Sequence, residues 1–155
     1  MMSGLSKFIA GGALVAALSG CSTFEPEKVA CPSISISKGA ERAYIEGVKL
    51  GQLAYVRVNG AWSECAPTQS GFDMELQLGL LLKRDISDSS LSEEVPIDIT
   101  FAFVDSNDNV VSRYVHSDTV FFPDYQDKSR PTLIIEKEIP AGTRIVFGLG
   151  KAIDG

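Results

Sequence analysis

The chain has 155 residues, with 20 acidic side chains against 14 basic ones and a formal net charge of −6. Its apolar share of 45% is enough for one packed core and too high for a disordered chain. The acidic balance argues against nucleic acid, and against an anionic lipid surface, as an electrostatic partner.

Residues 1–20 carry a single cation, Lys7, then the apolar run Phe8 to Leu18, then the small residues Ser19 and Gly20. That is the three-part order of a secretory signal. The run is too short to span a bilayer, which takes about 20 apolar residues. Cys21 follows directly, and Leu18-Ser19-Gly20-Cys21 resembles the bacterial lipobox. The resemblance implies that the signal is cut before Cys21, that the thiol receives a diacylglyceryl group, and that the new amine is acylated, with palmitate or a similar chain. Two or more chains give stable anchoring where one gives only marginal binding. Ser22 stands where enterobacterial lipoproteins retained in the inner membrane carry Asp. The expected address is therefore the outer membrane, facing the periplasm. The expected divisions are a signal peptide over 1–20, a tether over 21–30 and one domain over 31–155. With Lys7 removed, 13 basic residues (14 − 1) face 20 acidic ones, so the mature charge is about −7 with His116 neutral.

With Cys21 assigned to the anchor, Cys31 and Cys65 remain, an even pair in an exported, oxidising compartment. A disulfide is expected, with two free thiols as the alternative. A single histidine is too few for a zinc site.

Ser22 to Ala30 carries Pro26 and mixed charge without a period, as a short tether does. From Ser33 to Ser37 the period is two, with Ile34 and Ile36 between serines, and a first strand is expected. Residues 38–51 contain Gly39, Gly47 and Gly51 and are expected to be irregular, with at most one helical turn. Leu53 to Asn59 reads as a second strand, and Asn59-Gly60 as a turn or bulge beyond which Trp62 to Cys65 can continue the pairing. If these first two strands pair antiparallel, Cys31 and Cys65 lie near one another.

Residues 72–83 alternate most clearly. Phe72, Met74, Leu76, Leu78, Leu80 and Leu82 share one face, and a largely polar set shares the other. Asp85 to Glu94 reads as a polar loop. Residues 95–104 alternate again, with Ile97, Ile99, Phe101 and Phe103 inward and Asp98, Thr100, Ala102 and Val104 outward. Asp105 to Asn109 reads as a turn, residues 110–116 as a returning strand followed by Val120-Phe121-Phe122, and Asp124 to Pro131 as a polar loop. Residues 132–139 and 143–149 are expected to form a closing hairpin around Pro140-Ala141-Gly142.

About seven short strands without a convincing long helix predict an all-β fold, an antiparallel β-sandwich of the immunoglobulin or fibronectin-III kind, with a small β-barrel as the alternative. The mature chain also resembles the small lipoproteins of unknown function found in alphaproteobacteria. That resemblance rests on Ala30-Cys31-Pro32, on Cys65, on Phe101-Ala102-Phe103-Val104-Asp105 and on Ile145-Val146-Phe147-Gly148-Leu149. It implies an envelope address and a fold, and brings no activity.

Candidate chemistry is sparse. Asp105-Ser106-Asn107-Asp108-Asn109 has oxygen side chains at alternate positions, as a calcium loop does, but Val110 stands where glycine is required and His116 where glutamate is. His116, the one imidazole, is expected on a solvent-facing strand, and no Gly-x-Ser-x-Gly elbow accompanies it. Glu93-Glu94 and Asp85 with Asp88 are expected to be solvated loop acids. Trp62, Tyr55, Tyr114 and Tyr125 are the aromatic residues expected at the surface, Trp62 on a loop. No cofactor is expected. The expected role is a non-catalytic binding or structural module for another envelope protein, held to the membrane by its N-terminal lipid. Two alternatives stand beside it: an envelope-anchored hydrolase using His116, and a small-ligand carrier with a barrel interior. The expected partner edge is Ser33, Ile34, Ser35, Ile36 and Ser37, a strand without charge to repel an incoming one, with the alternative that residues 38–51 fold over this edge and close it.

Overall fold

The computed structural model describes residues 27–85 and 90–150. The predicted signal peptide, its cleavage site and Cys21 lie outside the described residues. Among the described residues there are nine strands: β1 (Ile34–Ile36), β2 (Arg42–Glu46), β3 (Leu53–Pro67), β4 (Gly71–Lys83), β5 (Glu93–Val104), β6 (Val110–Phe122), β7 (Lys128–Ser129), β8 (Thr132–Pro140) and β9 (Arg144–Leu149). A four-stranded sheet runs β1-β9-β5-β6, and a five-stranded sheet runs β2-β3-β4, with β7 and β8 both paired to the far side of β4. The two sheets pack face to face and do not close, so the fold is a β-sandwich and the barrel alternative falls.

The alternating pattern explains the core. Leu76, Leu78, Leu80 and Leu82 of β4 meet Val95, Ile97, Ile99 and Phe101 of β5, all buried, with Phe122 and Phe147 filling the layer between the sheets. Each such side chain contributes about 1.5–3 kcal/mol of transfer free energy. Inward positions that a carrier would need as cavity lining are packed against one another instead.

Several local expectations are corrected. Residues 38–51 hold β2, paired antiparallel with β3 at the edge of the five-stranded sheet. Ala43 and Ile45 alternate with the exposed Arg42, Tyr44 and Glu46, and the three glycines lie outside this strand. Gly39 and Gly51 take positive φ of 85° and 66°, so they turn the chain into and out of β2 rather than weakening it. The first strand does not pair with the segment beginning at Leu53. β1 runs parallel to β9, Ile34 opposite Ile145 and Ile36 opposite Phe147. Residues 40 and 41 then carry the chain across: the Leu149 N–H donates to the Ala40 carbonyl, and the Val58 N–H to that of Glu41.

β3 is one strand of 15 residues, interrupted between Val58 and Gly60 by the bulge that Asn59-Gly60 announced. Trp62 therefore sits on a strand, not on a loop. The expected closing hairpin is instead a crossover between sheets, since β8 pairs with β4 and β9 with β5. Gly142 (φ 72°) and a hydrogen bond from Thr143 Oγ1 to the Pro140 carbonyl turn the chain there. The arch lets Ile139 and Ile145 both enter the core. Val104, expected outward, is buried because the β5–β6 register shifts at Phe103/Val104. The loop expected over 124–131 contains the short β7, and β5 begins two residues early, at Glu93.

Candidate functional site

Where the chain enters the domain, three contacts fix it to β3. The Val29 N–H donates to the Cys65 carbonyl at 2.9 Å. Cys31 and Cys65 form the expected disulfide, with Cα atoms 5.2 Å apart. Lys28 pairs with Glu64. The expected bridge is present but by another route: the segment before β1 lies against β3, while β1 itself belongs to the other sheet.

β1 forms one end of the four-stranded sheet. The Ser33 carbonyl accepts from the Ile145 N–H at 2.9 Å, and the Ser37 N–H donates to the Phe147 carbonyl at 2.7 Å. Backbone groups alternate sides along a strand, so Ile34 and Ile36 direct theirs away from β9. Among the described residues no strand pairs with that side. The Ile34 side chain packs on the core, and that of Ile36 is partly exposed. The expected edge is thus an edge, with backbone groups open at Ile34 and Ile36, while Ser33 and Ser37 are engaged. The strand within residues 38–51, β2, pairs in the other sheet rather than along this edge.

The outer face of the five-stranded sheet carries a shallow groove of about 950 Å³ beside the tether junction. The register places Glu64, Glu75 and Glu136 in one cross-strand row, and Asp73 beside Glu138 in the next. Lys28 answers Glu64, Gln77 donates to Glu75 at 3.1 Å, and Ser70 donates to Glu138. The row beyond holds Trp62, Gln77 and Ile134, with Trp62 and Ile134 both exposed. Chemically the groove is an anionic surface bordered by an indole.

His116 lies on β6 opposite Ile99 and points between the sheets, half-buried rather than facing solvent. Its Nδ1 is 3.5 Å from the Tyr114 hydroxyl and its Nε2 is 3.9 Å from Asp118 Oδ2, beyond hydrogen-bond length. The neighbouring Ser117 turns to the outer face and donates to Asp98. Tyr114 stacks near Phe101 and lies beneath the Lys137 ammonium, 4.3 Å from its ring centre. Tyr55 is half-buried against the exposed Tyr44, and Tyr125 is exposed. In the 105–109 turn, Asp105 Oδ1 accepts the N–H groups of Asn107 and Asn109 at 2.8 and 2.9 Å. These bonds hold the Asp105 carboxyl below the usual range. Asp108, at φ 65°, pairs with Arg144. The two carboxylates of this turn, Asp105 and Asp108, are thus engaged within the turn and with β9.

One polar constellation was missed. Glu93, expected on a solvated loop, is 1% exposed. Its carboxylate accepts the N–H groups of Lys49 and Leu50 at 2.9 Å, of Gln52 at 3.5 Å and of Glu94 at 2.8 Å. Burial pushes its carboxyl up, and these four donors outweigh burial and bring it below the ordinary value. Arg84 is also buried. It donates to the carbonyls of Gln126, Leu91 and Pro123 and to Gln52 Oε1, with its guanidinium 4.9 Å above the Phe122 ring. Gln52 joins the two groups into one network that ties the ends of four strands. The signal was parity: one more step of the period after Leu80 and Leu82 reaches Arg84, and one step before Val95 and Ile97 reaches Glu93. Asp85 precedes the undescribed residues 86–89, among which Asp88 lies.

No family model, curated protein or solved structure matches this chain.

Proposed function

We propose that this chain is a lipid-anchored module of the bacterial cell envelope that holds another envelope component and does not itself carry out a reaction. Cys21 bears the anchor, with the outer membrane, on its periplasmic side, as the site. The partner adds an extended segment to the β1 edge. The observation that carries the reading is the open edge at Ile34 and Ile36, which closely follows the tether and has no charged side chain of its own. The disulfide to β3 supports it, because it fixes the chain to the sandwich just ahead of β1.

The test is a photo-crosslinking side chain at Ile36 in the full-length chain, irradiated in intact envelopes. The expected result is a discrete adduct that is lost in the Cys21→Ala chain and absent when the same group replaces Thr132 on β8. No adduct at Ile36, or equal adducts at both positions, contradicts the proposal.

A further inference from the structure

Among the described residues the longest open edge is not β1 but β6, at the opposite end of the same sheet. Which of its backbone groups are free follows from its neighbours. The Gly150 N–H donates to the Asp98 carbonyl, so the even residues of β5 face β9 and its odd residues face β6. Ile97, Ile99 and Phe101 lie opposite Asp118, His116 and Tyr114, so the even residues of β6 are bonded to β5. The odd ones, Arg113, Val115, Ser117, Thr119 and Phe121, turn their N–H and C=O groups outward. A contact at the edge agrees: the Thr119 N–H is met by the Asp118 carboxylate at 2.7 Å, not by a strand. The same odd residues point their side chains to the outer face, where Val115 and Phe121 are exposed.

We infer that β6 pairs antiparallel with β6 of a second copy of this chain, about a twofold axis at Ser117. An antiparallel pair that uses every outward residue from Arg113 to Phe121 has only one centre, Ser117. Arg113 then faces Phe121 of the second copy, Val115 faces Thr119, and Ser117 faces Ser117. The two four-stranded sheets become one continuous sheet of eight.

The register was set by backbone alone, yet it places opposite chemistry side by side. Between the bonded pairs, His116 falls opposite Asp118 of the second copy, twice by symmetry. His116 Nε2 is buried and has no hydrogen-bond partner among the described residues. A carboxylate arriving from the second copy supplies one, while the Val115 carbonyl of that copy takes over the Thr119 N–H that Asp118 now caps. On the outer face the Arg113 guanidinium meets the exposed Phe121 ring. The other edges serve less well. β2 offers only Arg42, Tyr44 and Glu46 outward. β8 follows Pro131, ends at Pro140 and turns Glu136 and Glu138 to its open side. Pairing through β6 leaves β1 open on both copies and does not depend on the role proposed for β1.

The test uses full-length, lipidated protein carrying Ser117→Cys, kept in its envelope and read on non-reducing gels with mass spectrometry of the linked peptide. Cα atoms of a bonded antiparallel pair lie about 5.5 Å apart, within disulfide range. The result expected is a species of twice the monomer mass, joined by a disulfide between the introduced thiols at position 117 of the two copies, while Tyr44→Cys on β2 and Ile36→Cys on β1 give none. The Arg113→Cys/Phe121→Cys chain should link to itself in the same way and fix the register. A monomer at position 117, together with a single-copy mass by sedimentation of the unmodified protein in detergent, overturns the inference. Linkage at Tyr44→Cys instead overturns the choice of edge. Neither result bears on crosslinking at Ile36, so the two proposals fail separately.

Discussion

At the scale of single residues, the end of the sandwich depends on a buried carboxylate that accepts four backbone N–H groups. Glu93→Gln keeps the shape but replaces two strong acceptor oxygens by one weaker acceptor and a donor with nowhere to point. It should cost about 2 kcal/mol, read from denaturant unfolding. The pH dependence has a defined sign. The folded carboxyl lies below its unfolded value, so its contribution is complete above the ordinary glutamate range and is lost as pH falls through the folded value. Melting temperature should fall in acid more steeply for the parent chain than for Glu93→Gln, and equal slopes would show that Glu93 does not set the acid limit. Gly47 answers to the same site. A Cβ there would sit 2.2 Å from the Glu93 side chain, so Gly47→Ala should destabilise by about 1–3 kcal/mol. These residues were hidden in the sequence because a charge beside a loop looks solvated. Only the parity of Glu93 with Val95, and of Arg84 with Leu82, distinguished them.

At the scale of elements, β4 and β5 were legible because a strand buried on one face writes its period directly into the chain. β2 was not legible, since its period is carried only by the half-buried Ala43 and Ile45 between glycines. The crossover at Pro140 was not legible either. A turn residue announces that the chain turns, whereas the choice between staying in one sheet and crossing to the other is made by distant partners, here β4 and β5. The same pairing produces the carboxylate row Glu64, Glu75 and Glu136, which no local pattern contains. Like charges directly opposite one another on a sheet are destabilising, so Glu75→Gln should stabilise the domain by about 0.5 kcal/mol. A higher denaturant midpoint at low salt, shrinking at high salt, is the expected result, and an unchanged midpoint would show that Lys28 and solvent already screen the row. The disulfide closes a loop between residues 34 positions apart, and in the chain-entropy account Cys31→Ser with Cys65→Ser should cost about 4 kcal/mol.

At the scale of the whole molecule, the sandwich has a filled interior, open edges and an entry segment stapled to β3, and the proposed anchor precedes that segment. Cys21→Ala should abolish fatty-acid incorporation and release the chain from membranes, and equal labelling of parent and variant would refute the anchor. The edges carry the functional claim, and amide hydrogen exchange at β1 tests it most directly. In the isolated full-length protein the Ile34 and Ile36 amides should exchange fast, while that of Ser37, bonded to Phe147, exchanges slowly. Addition of envelope extract should slow Ile34 and Ile36 and leave Ser37 unchanged. Protection of Ile34 and Ile36 in the isolated protein, or no change when the extract is added, would contradict a partner strand at β1.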